Sequence, residues 1–289
     1  MPTCSPFGSF SLLPLTAPLA DYEAQAEAGT RDAVAKCCDF ADWEALATLV
    51  AAIARRDPAV YPFQQAVDAV VDGDLAKLQS LLQGHPDLAQ ARSTRRTHFD
   101  PPVHRATLLH YIAANGTENY RQKSPPNAVA IATALLDAGA APDALASLYG
   151  GECTTMSLLV SSDHPAQAGV KVPLIDLLVA RGASVTDLGT GNWISPKETA
   201  LVFGYPQAAQ ALILHGAPVT FPPAAALGHA AIVQTLLPTA DPISLRHSRR
   251  IDHPCSPKVD HQPAPSALPV RRAWACGARL GRAAKKVGP

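Results

Sequence analysis

The sequence has few aromatic residues and no long apolar run. Aromatic residues make up 6% of the 289 positions although 47% are hydrophobic, so small aliphatic side chains must supply the core. No stretch reaches the roughly 18 apolar residues that a membrane helix needs. The first 20 residues contain four prolines and lack a positively charged start, so we expect no secretory signal.

The residue patterns that carry metal, redox or catalytic chemistry are also missing. The six cysteines show no Cys-x-x-Cys spacing, which favours idle thiols in a reducing compartment, and we expect a cytoplasmic protein. His98, His104 and His110 lie six residues apart, a spacing that does not place them on one helix face. Asp163-His164 falls on a predicted loop. The sequence therefore predicts no metal, no cofactor and no catalytic residue.

A spacing of one glycine and two apolar residues recurs along the chain. The apolar pair follows the glycine by eight and nine positions, as in Gly73 with Leu81-Leu82, Gly204 with Leu212-Ile213, and Gly228 with Leu236-Leu237. Each glycine suits the end of a short helix and a tight turn, and each apolar pair suits the buried stripe of a second helix. The spacing predicts helix-turn-helix units, which become stable by stacking on one another.

Two stretches in the middle of the chain resemble the halves of an ankyrin repeat. Residues 107–116 read Thr-Leu-Leu-His-Tyr-Ile-Ala-Ala-Asn-Gly, and residues 130–143 close in Leu-Leu-Asp-Ala-Gly-Ala-Ala-Pro-Asp. The family pattern is Thr-Pro-Leu-His-x-Ala-Ala-x-x-Gly, followed by a helix that closes in Leu-Leu-x-x-Gly-Ala-Asp. Leu108 replaces the proline of that pattern and Ile112 replaces an alanine.

The spacing of later units agrees with this resemblance. Gly182 and Gly216 hold the same place in consecutive units and are 34 residues apart, against a family period of about 33. The resemblance implies an all-α ankyrin-repeat solenoid of stacked helix-turn-helix units with short hairpin-like fingers. In the family, the Thr and His of the motif hydrogen-bond the backbone across the turns, so His110 is interpreted as structural.

The chain divides into four predicted parts. These are a flexible arm at 1–30, a helical cap at 31–58, an array of about five units at 59–242, and a basic, disordered tail at 243–289. The cap helix is predicted to start at Asp39 and to stop at Asp57-Pro58. Two units carry inserted loops, at 117–127 and 163–169. Such loops either carry function or are tolerated surface length.

The charge of the chain is split between its two ends. Residues 246–289 hold ten Lys or Arg against two Asp, a net of +8, and the neutral total leaves −8 on the preceding 245 residues. Such a tail is typical of disorder and could bind nucleic acid or an acidic surface, or it could follow from a changed reading frame in a truncated array. Without a cap, the last unit would expose its apolar face and favour self-association.

The resemblance implies a protein-protein interaction scaffold without catalytic activity, whose partner the sequence does not identify. The alternative is nucleic-acid or acidic-surface binding through the tail. Candidate partner-binding residues come from the fingers and from the first inserted loop. The finger residues are Arg95, Arg96, His104, Arg105, Tyr149 and Glu152, and the loop residues are Tyr120, Arg121 and Lys123. A basic segment such as 92–105 is also common in solvated loops that bind nothing.

Overall fold

The structure, a computed structural model, describes most of the chain up to residue 219. The described residues are 3–4, 10–11, 13–26, 31–114, 118–186, 189–191, 193–219 and 228. Apart from Gly228, the predicted fifth unit at 222–238 lies outside these residues, and so does the predicted basic tail. The predicted self-association through the fifth unit therefore also falls on residues that are not described.

The described residues are mostly helical, which confirms the all-α expectation at that level. The helices are α1 Leu19–Gln25, α2 Arg31–Cys37, α3 Trp43–Ala54, α4 Tyr61–Asp72, α5 Leu75–Gly84, α6 Leu108–Tyr111, α7 Ala128–Asp137, α8 Thr155–Ser161, α9 His164–Gln167, α10 Lys171–Ala180, α11 Pro196–Val202 and α12 Pro206–Leu214. Two antiparallel strand pairs accompany them, β1 Thr3–Cys4 with β2 Phe10–Ser11 and β3 Ala146–Leu148 with β4 Gly151–Cys153. Within the described ranges, no helix combines the length and apolar character needed to cross a membrane.

Short polar side chains and glycines set the helix ends. Asp42, rather than the predicted Asp39, caps α3, and its carboxylate accepts a hydrogen bond from the Ala45 amide at 2.8 Å. Asp39 instead adopts a left-handed conformation with φ of 61° between α2 and α3. The predicted turn at Gly73 is confirmed, because this residue ends α4 with φ of 76°.

Helices α4 to α8 and α10 to α12 pack in two rows. In one row α4 contacts α6, α6 contacts α8, and α8 contacts α11. In the other row α5 contacts α7, α7 contacts α10, and α10 contacts α12. One apolar cluster runs through both rows, from Phe63 at one end to Leu212 and Ala217 at the other. We call residues 61–114, 118–186, 189–191 and 193–219 the two-row region.

The first three helices form a separate small unit. Residues 13–26 and 31–57, which we call the N-terminal unit, have an apolar cluster of their own. Its buried members are Leu15, Tyr22, Val34, Ala35, Cys38, Phe40, Leu46, Val50 and Ile53. Residues 13–26, predicted as part of a flexible arm, are therefore packed, and the Tyr22 hydroxyl donates to the Pro14 carbonyl at 2.9 Å. The apolar side chains Leu15 and Tyr22 explain this difference.

Hairpins precede α6 and α8 in the two-row region. The first runs from Arg92 to Thr107, which form a bridge. The second consists of β3 and β4, joined by Tyr149 and Gly150 with φ of 58° and 80°, as a two-residue type I′ turn requires. The Ser147 amide donates to the His104 carbonyl at 2.7 Å and links the two hairpins.

A close backbone approach joins the second hairpin to residues 189–191. The Thr190 amide donates to the Glu152 carbonyl at 2.8 Å. Gly189 has φ of 66°, and a Cβ atom placed there would lie 2.0 Å from the Glu152 carbonyl oxygen. The contact therefore requires glycine at this position.

We expect Gly189→Ala to break the backbone contact between residues 189–191 and the second hairpin. The left-handed φ and the clash with the Glu152 carbonyl both oppose a Cβ. Gly139→Ala is the matched control, because Gly139 has φ of 94° but no atom within 4 Å of the position that a Cβ would take. The free energy of unfolding in urea should fall by about 2 kcal/mol more for Gly189→Ala than for Gly139→Ala. Equal losses would show that the backbone contact contributes nothing.

Candidate functional site

His110 has a structural role at the start of α6. The Thr107 amide donates to His110 Nδ1 at 3.2 Å, and Thr107 Oγ1 lies 2.9 Å from the same nitrogen. Together the two residues form a capping box. Burial lowers the pKa of His110 to about 4, so the ring is neutral at pH 7. These contacts agree with the structural interpretation of this histidine.

A groove lies between the first and second hairpins. Its cavity volume is about 530 Å³, and its lining residues are Arg92, Arg105, Asp143, Ala144, Leu145, Ser147 and Glu152. The backbone at its base is fixed, because Arg92 Nη1 donates to the Arg105 carbonyl at 3.0 Å. The Asp143 carboxylate accepts from the Ser184 amide at 3.0 Å and holds the next turn.

Two of the charged side chains that line this groove form no described ion pair or side-chain hydrogen bond. Arg105 and Glu152 are both exposed, and across the described ranges neither the guanidinium nor the carboxylate has an ion-pair or hydrogen-bond partner. Arg105 also holds a left-handed backbone conformation with φ of 54°. Within the described residues, the groove thus offers one cation and one anion without a partner, on a backbone fixed by hydrogen bonds.

Aromatic and aliphatic side chains lie at the tip of the second hairpin. The rings of Tyr149 and Trp193 meet edge to face with centroids 5.8 Å apart, and Trp193 Nε1 donates to the Leu148 carbonyl at 3.2 Å. Tyr149 is 38% exposed and Ile194 is 41% exposed. Exposed aromatic rings beside charged groups are typical of protein interfaces.

Three predicted partner-binding residues are instead part of the interior. Arg95, His104 and Arg121 are 3%, 1% and 1% exposed, so they do not face a partner in this structure. Tyr120 is half-buried, with its ring 5.1 Å from the Arg121 guanidinium carbon. The physical reason is a buried carboxylate at Glu118, which draws these polar side chains inward.

Arg96 and Lys123 are exposed, as the prediction requires. Lys123 forms an ion pair with Asp72 at the end of α4, so its ammonium group is already engaged. Together with Arg105, Tyr149 and Glu152, these residues remain predicted contacts. The groove brings together Arg105 and Glu152 only.

Glu118 is the centre of a buried polar network. Its Oε1 accepts from the Tyr111 hydroxyl at 2.7 Å and from His104 Nε2 at 3.1 Å. Its Oε2 accepts from Arg121 Nη1 at 2.8 Å and lies 3.3 Å from Arg95 Nη1. These donors come from the first hairpin, from α6 and from the inserted loop. The carboxylate therefore holds these three parts of the chain together.

Arg121 extends this network to α4. Its Nε and Nη2 donate to Asp68 Oδ1 at 2.9 and 2.7 Å, and its Nη1 donates to Gln64 Oε1 at 2.7 Å. The inserted loop, predicted to lie on the surface, is thus anchored inside the molecule at this point. The residue range 118–121 packs against α4 instead of projecting into solvent.

The network keeps Glu118 and Arg121 ionised. Burial alone would raise the pKa of Glu118, but the charges of Arg95 and Arg121 and the hydrogen bond from His104 hold it well below its usual range. Burial opposes the charge of Arg121, and the nearby Tyr120, Glu118 and Asp68 nevertheless hold its pKa well above the usual value. Each of these buried charges thus has a partner of opposite sign.

Sequence reasoning missed Glu118. It lies in a polar stretch, Thr117-Glu118-Asn119-Tyr120-Arg121, that has the composition of a surface loop. No local pattern marks a buried carboxylate, because its partners His104 and Arg95 are 14 and 23 positions earlier in the sequence. Among the residues that the structure describes, no group of three or more His, Cys, Asp or Glu side chains is placed to hold a metal ion.

Comparison with known proteins gives no assignment. No family model matches the chain, and a search of curated proteins gives no significant match.

Proposed function

We propose that the two-row region is an ankyrin-type repeat array. The two rows of helices and the hairpins that alternate with helix pairs support this proposal, as does the capping box at Thr107 and His110. Further support comes from the glycines that follow the second helix of successive pairs. Gly139, Gly182 and Gly216 have φ of 94°, 93° and 95°, the left-handed conformation in which such helices end.

The function that we propose is protein binding through the groove between the first and second hairpins. The observation that carries it is the free charge of Arg105 and Glu152 on a fixed backbone. Neither side chain stabilises the fold through a described contact, so both are available to a partner. A rigid surface loses little conformational entropy on binding, which favours affinity.

The two free charges indicate what the partner surface should carry. Arg105 and Glu152 have opposite signs, so a complementary partner presents an acidic and a basic group to the same groove. Opposite charges across an interface set the register of binding and reject surfaces of the wrong pattern. The exposed ring of Tyr149, at the tip of the hairpin that carries Glu152, adds apolar area to this hairpin. We propose no catalytic role for these residues.

A charge-reversal experiment tests the proposal. We expect the double variant Arg105→Glu and Glu152→Lys to lose a partner captured from native extract by the unmodified protein, with affinity reduced at least about tenfold. The matched control is Lys36→Glu with Glu44→Lys, which reverses one exposed cation and one exposed anion on the N-terminal unit. Circular dichroism checks that all variants are folded.

Two results would count against this function. Retention of every captured partner by the groove variant would exclude the groove as the binding surface. Neither double variant changes the net charge, so equal loss in both would show that charge reversal outside the groove disrupts capture as much as reversal within it.

The basic segment at 246–289 supports a second candidate, nucleic-acid binding. Its net charge of +8 suits phosphate contacts, which weaken steeply as salt concentration rises. Nuclease treatment of the extract separates the candidates, since a captured protein that depends on bridging nucleic acid is lost after digestion. A partner bound through the groove is retained.

A further inference from the structure

A buried arginine, Arg95, lies on the surface that faces the N-terminal unit. Arg95 lies in the first hairpin of the two-row region, and its guanidinium carbon is 3.9 Å from the centre of the Phe40 ring. Its Nη2 donates to the Cys38 carbonyl, directly after the end of α2 at Cys37. A cation at the carboxyl end of a helix is favoured by the helix dipole, and an arginine over an aromatic face adds a cation-π contact.

Other contacts across this boundary include a backbone hydrogen bond, a packed aromatic ring and a hydrogen bond between His98 and the Phe40 backbone. The Ala41 amide donates to the Arg96 carbonyl at 3.1 Å, and the Tyr120 ring packs on the apolar cluster of the N-terminal unit. Within the part of the chain that the structure describes, Arg95 Nε and the Tyr120 hydroxyl are buried without a hydrogen-bond partner. Buried polar atoms without partners weaken an interface.

The apolar cores on either side of the boundary are separate. The N-terminal unit has its own cluster around Tyr22 and Leu46, whereas the cluster from Phe63 to Ala217 belongs to the two-row region. Tyr61 at the start of α4 and Val60 just before it also pack on the N-terminal cluster. Because the two apolar cores are separate, the N-terminal unit can unfold while the two-row region stays folded.

We infer that the N-terminal unit is an intramolecular ligand of the surface formed by Arg95 and Tyr120, and that it opens while the two-row region stays folded. The docked feature is the carboxyl end of α2 followed by the aromatic ring of Phe40. The N-terminal unit is about the size at which a domain no longer folds alone, so its opening includes the loss of α1 to α3. This inference does not depend on the proposed partner groove.

The two-row region keeps its charge network when the N-terminal unit opens. Glu118 retains Arg121, His104 and Tyr111, all of which lie on the two-row side. Arg121 retains Asp68 and Gln64. The network therefore stabilises the two-row region by itself, and Arg95 is the member that reaches across the boundary.

Hydrogen exchange on the full chain tests the inference. In Arg95→Met we expect the backbone amides of Leu46, Val50 and Ile53 to exchange at least about tenfold faster than in the unmodified protein. Amides of α7 and α10 should accelerate less than these, because Arg95→Met affects the two-row region only through the lost pairing with Glu118, which keeps Arg121 and His104. Arg96→Met is the matched control, since Arg96 is exposed and contacts the N-terminal unit through its backbone carbonyl.

A second variant acts from the other side of the boundary. Phe40→Leu removes the ring under Arg95 without touching Glu118, and it should also accelerate exchange in α2 and α3 alone. Equal acceleration in α3, α7 and α10 for either variant would show one cooperative body and overturn the inference. No acceleration in α3 for Arg95→Met would also overturn it, because Arg95 would then not hold the N-terminal unit.

Discussion

Glu118→Gln should lower the free energy of unfolding by about 3–5 kcal/mol, the loss expected when one member of a buried charge network is neutralised. The substitution keeps the size and one acceptor oxygen of the side chain but removes the charge that balances Arg95 and Arg121. Both guanidinium groups are fully buried, so solvent cannot replace the missing carboxylate. Urea unfolding followed by circular dichroism measures the loss.

Glu152→Gln is the matched control for this substitution. Its carboxylate is exposed and has no described partner, so a change within about 0.5 kcal/mol is expected there. A loss at Glu118 no greater than at Glu152 would show that the network does not stabilise the fold.

The stability that the Glu118 carboxylate contributes should decrease as the pH falls. The pKa of Glu118 is held well below its ordinary value of 4.5 in the folded protein. The unfolded chain therefore binds this proton first, and the stability from the ionised carboxylate is complete above about pH 4.5 and is lost as the pH falls toward the folded pKa. The difference in the free energy of unfolding between the unmodified protein and Glu118→Gln should therefore become smaller as the pH is lowered.

Local signals in the sequence predict the helical units well. A glycine that follows an apolar helix predicts the left-handed residue at Gly73, and the spacing of Leu78 and Leu82 places both in the core. Thr107 and His110 are three positions apart, within one helical turn, so the local sequence is enough to predict their contact. These features depend on neighbours a few residues apart, which is the range that periodicity and capping rules cover.

Burial of charged residues is not predictable in the same way. Arginine in a loop is usually solvated, which predicts Arg121 on the surface, but its partners Gln64 and Asp68 lie 57 and 53 positions away. The insertion that carries Arg121 contacts α4 only after the helices have packed. Arg95 likewise depends on Cys38, which lies in the N-terminal unit. Long-range pairing of this kind leaves no local pattern.

The candidate groove is predictable in part. The finger pattern selects Arg105 and Glu152, and both line the groove between the first two hairpins. It does not select Arg92 and Asp143, which fix the backbone of the groove, because their roles depend on carbonyl and amide groups elsewhere in the chain. Composition identifies side chains that can be exposed, but only the packed hairpins decide which of them share one surface.

Lys171 is a buried basic residue at the start of α10. Burial of its charged form opposes folding. Its Nζ lies 3.0 Å from the centre of the Tyr205 ring and donates to the Val160 carbonyl at 3.3 Å. Burial lowers the pKa of Lys171 from 10.5 to about 7, and Asp163 opposes this shift only in part. Because the unfolded chain binds the proton more tightly between these values, stability should rise as the pH increases from 7 toward 10.5.

Comparison with Lys171→Met isolates this effect from other groups that titrate in the same range. From pH 7 to about pH 9.5, we expect the free energy of unfolding of the unmodified protein to rise by about 3 kcal/mol relative to Lys171→Met. At pH 7, about half of the folded molecules carry a protonated and therefore charged Lys171. Lys171→Met should be the more stable protein at this pH, because it does not bury this charge. Lys36→Met, at an exposed lysine, should follow the unmodified protein at every pH. Parallel pH profiles for the unmodified protein and Lys171→Met would show that the amine at position 171 is ionised equally in the folded and unfolded chains.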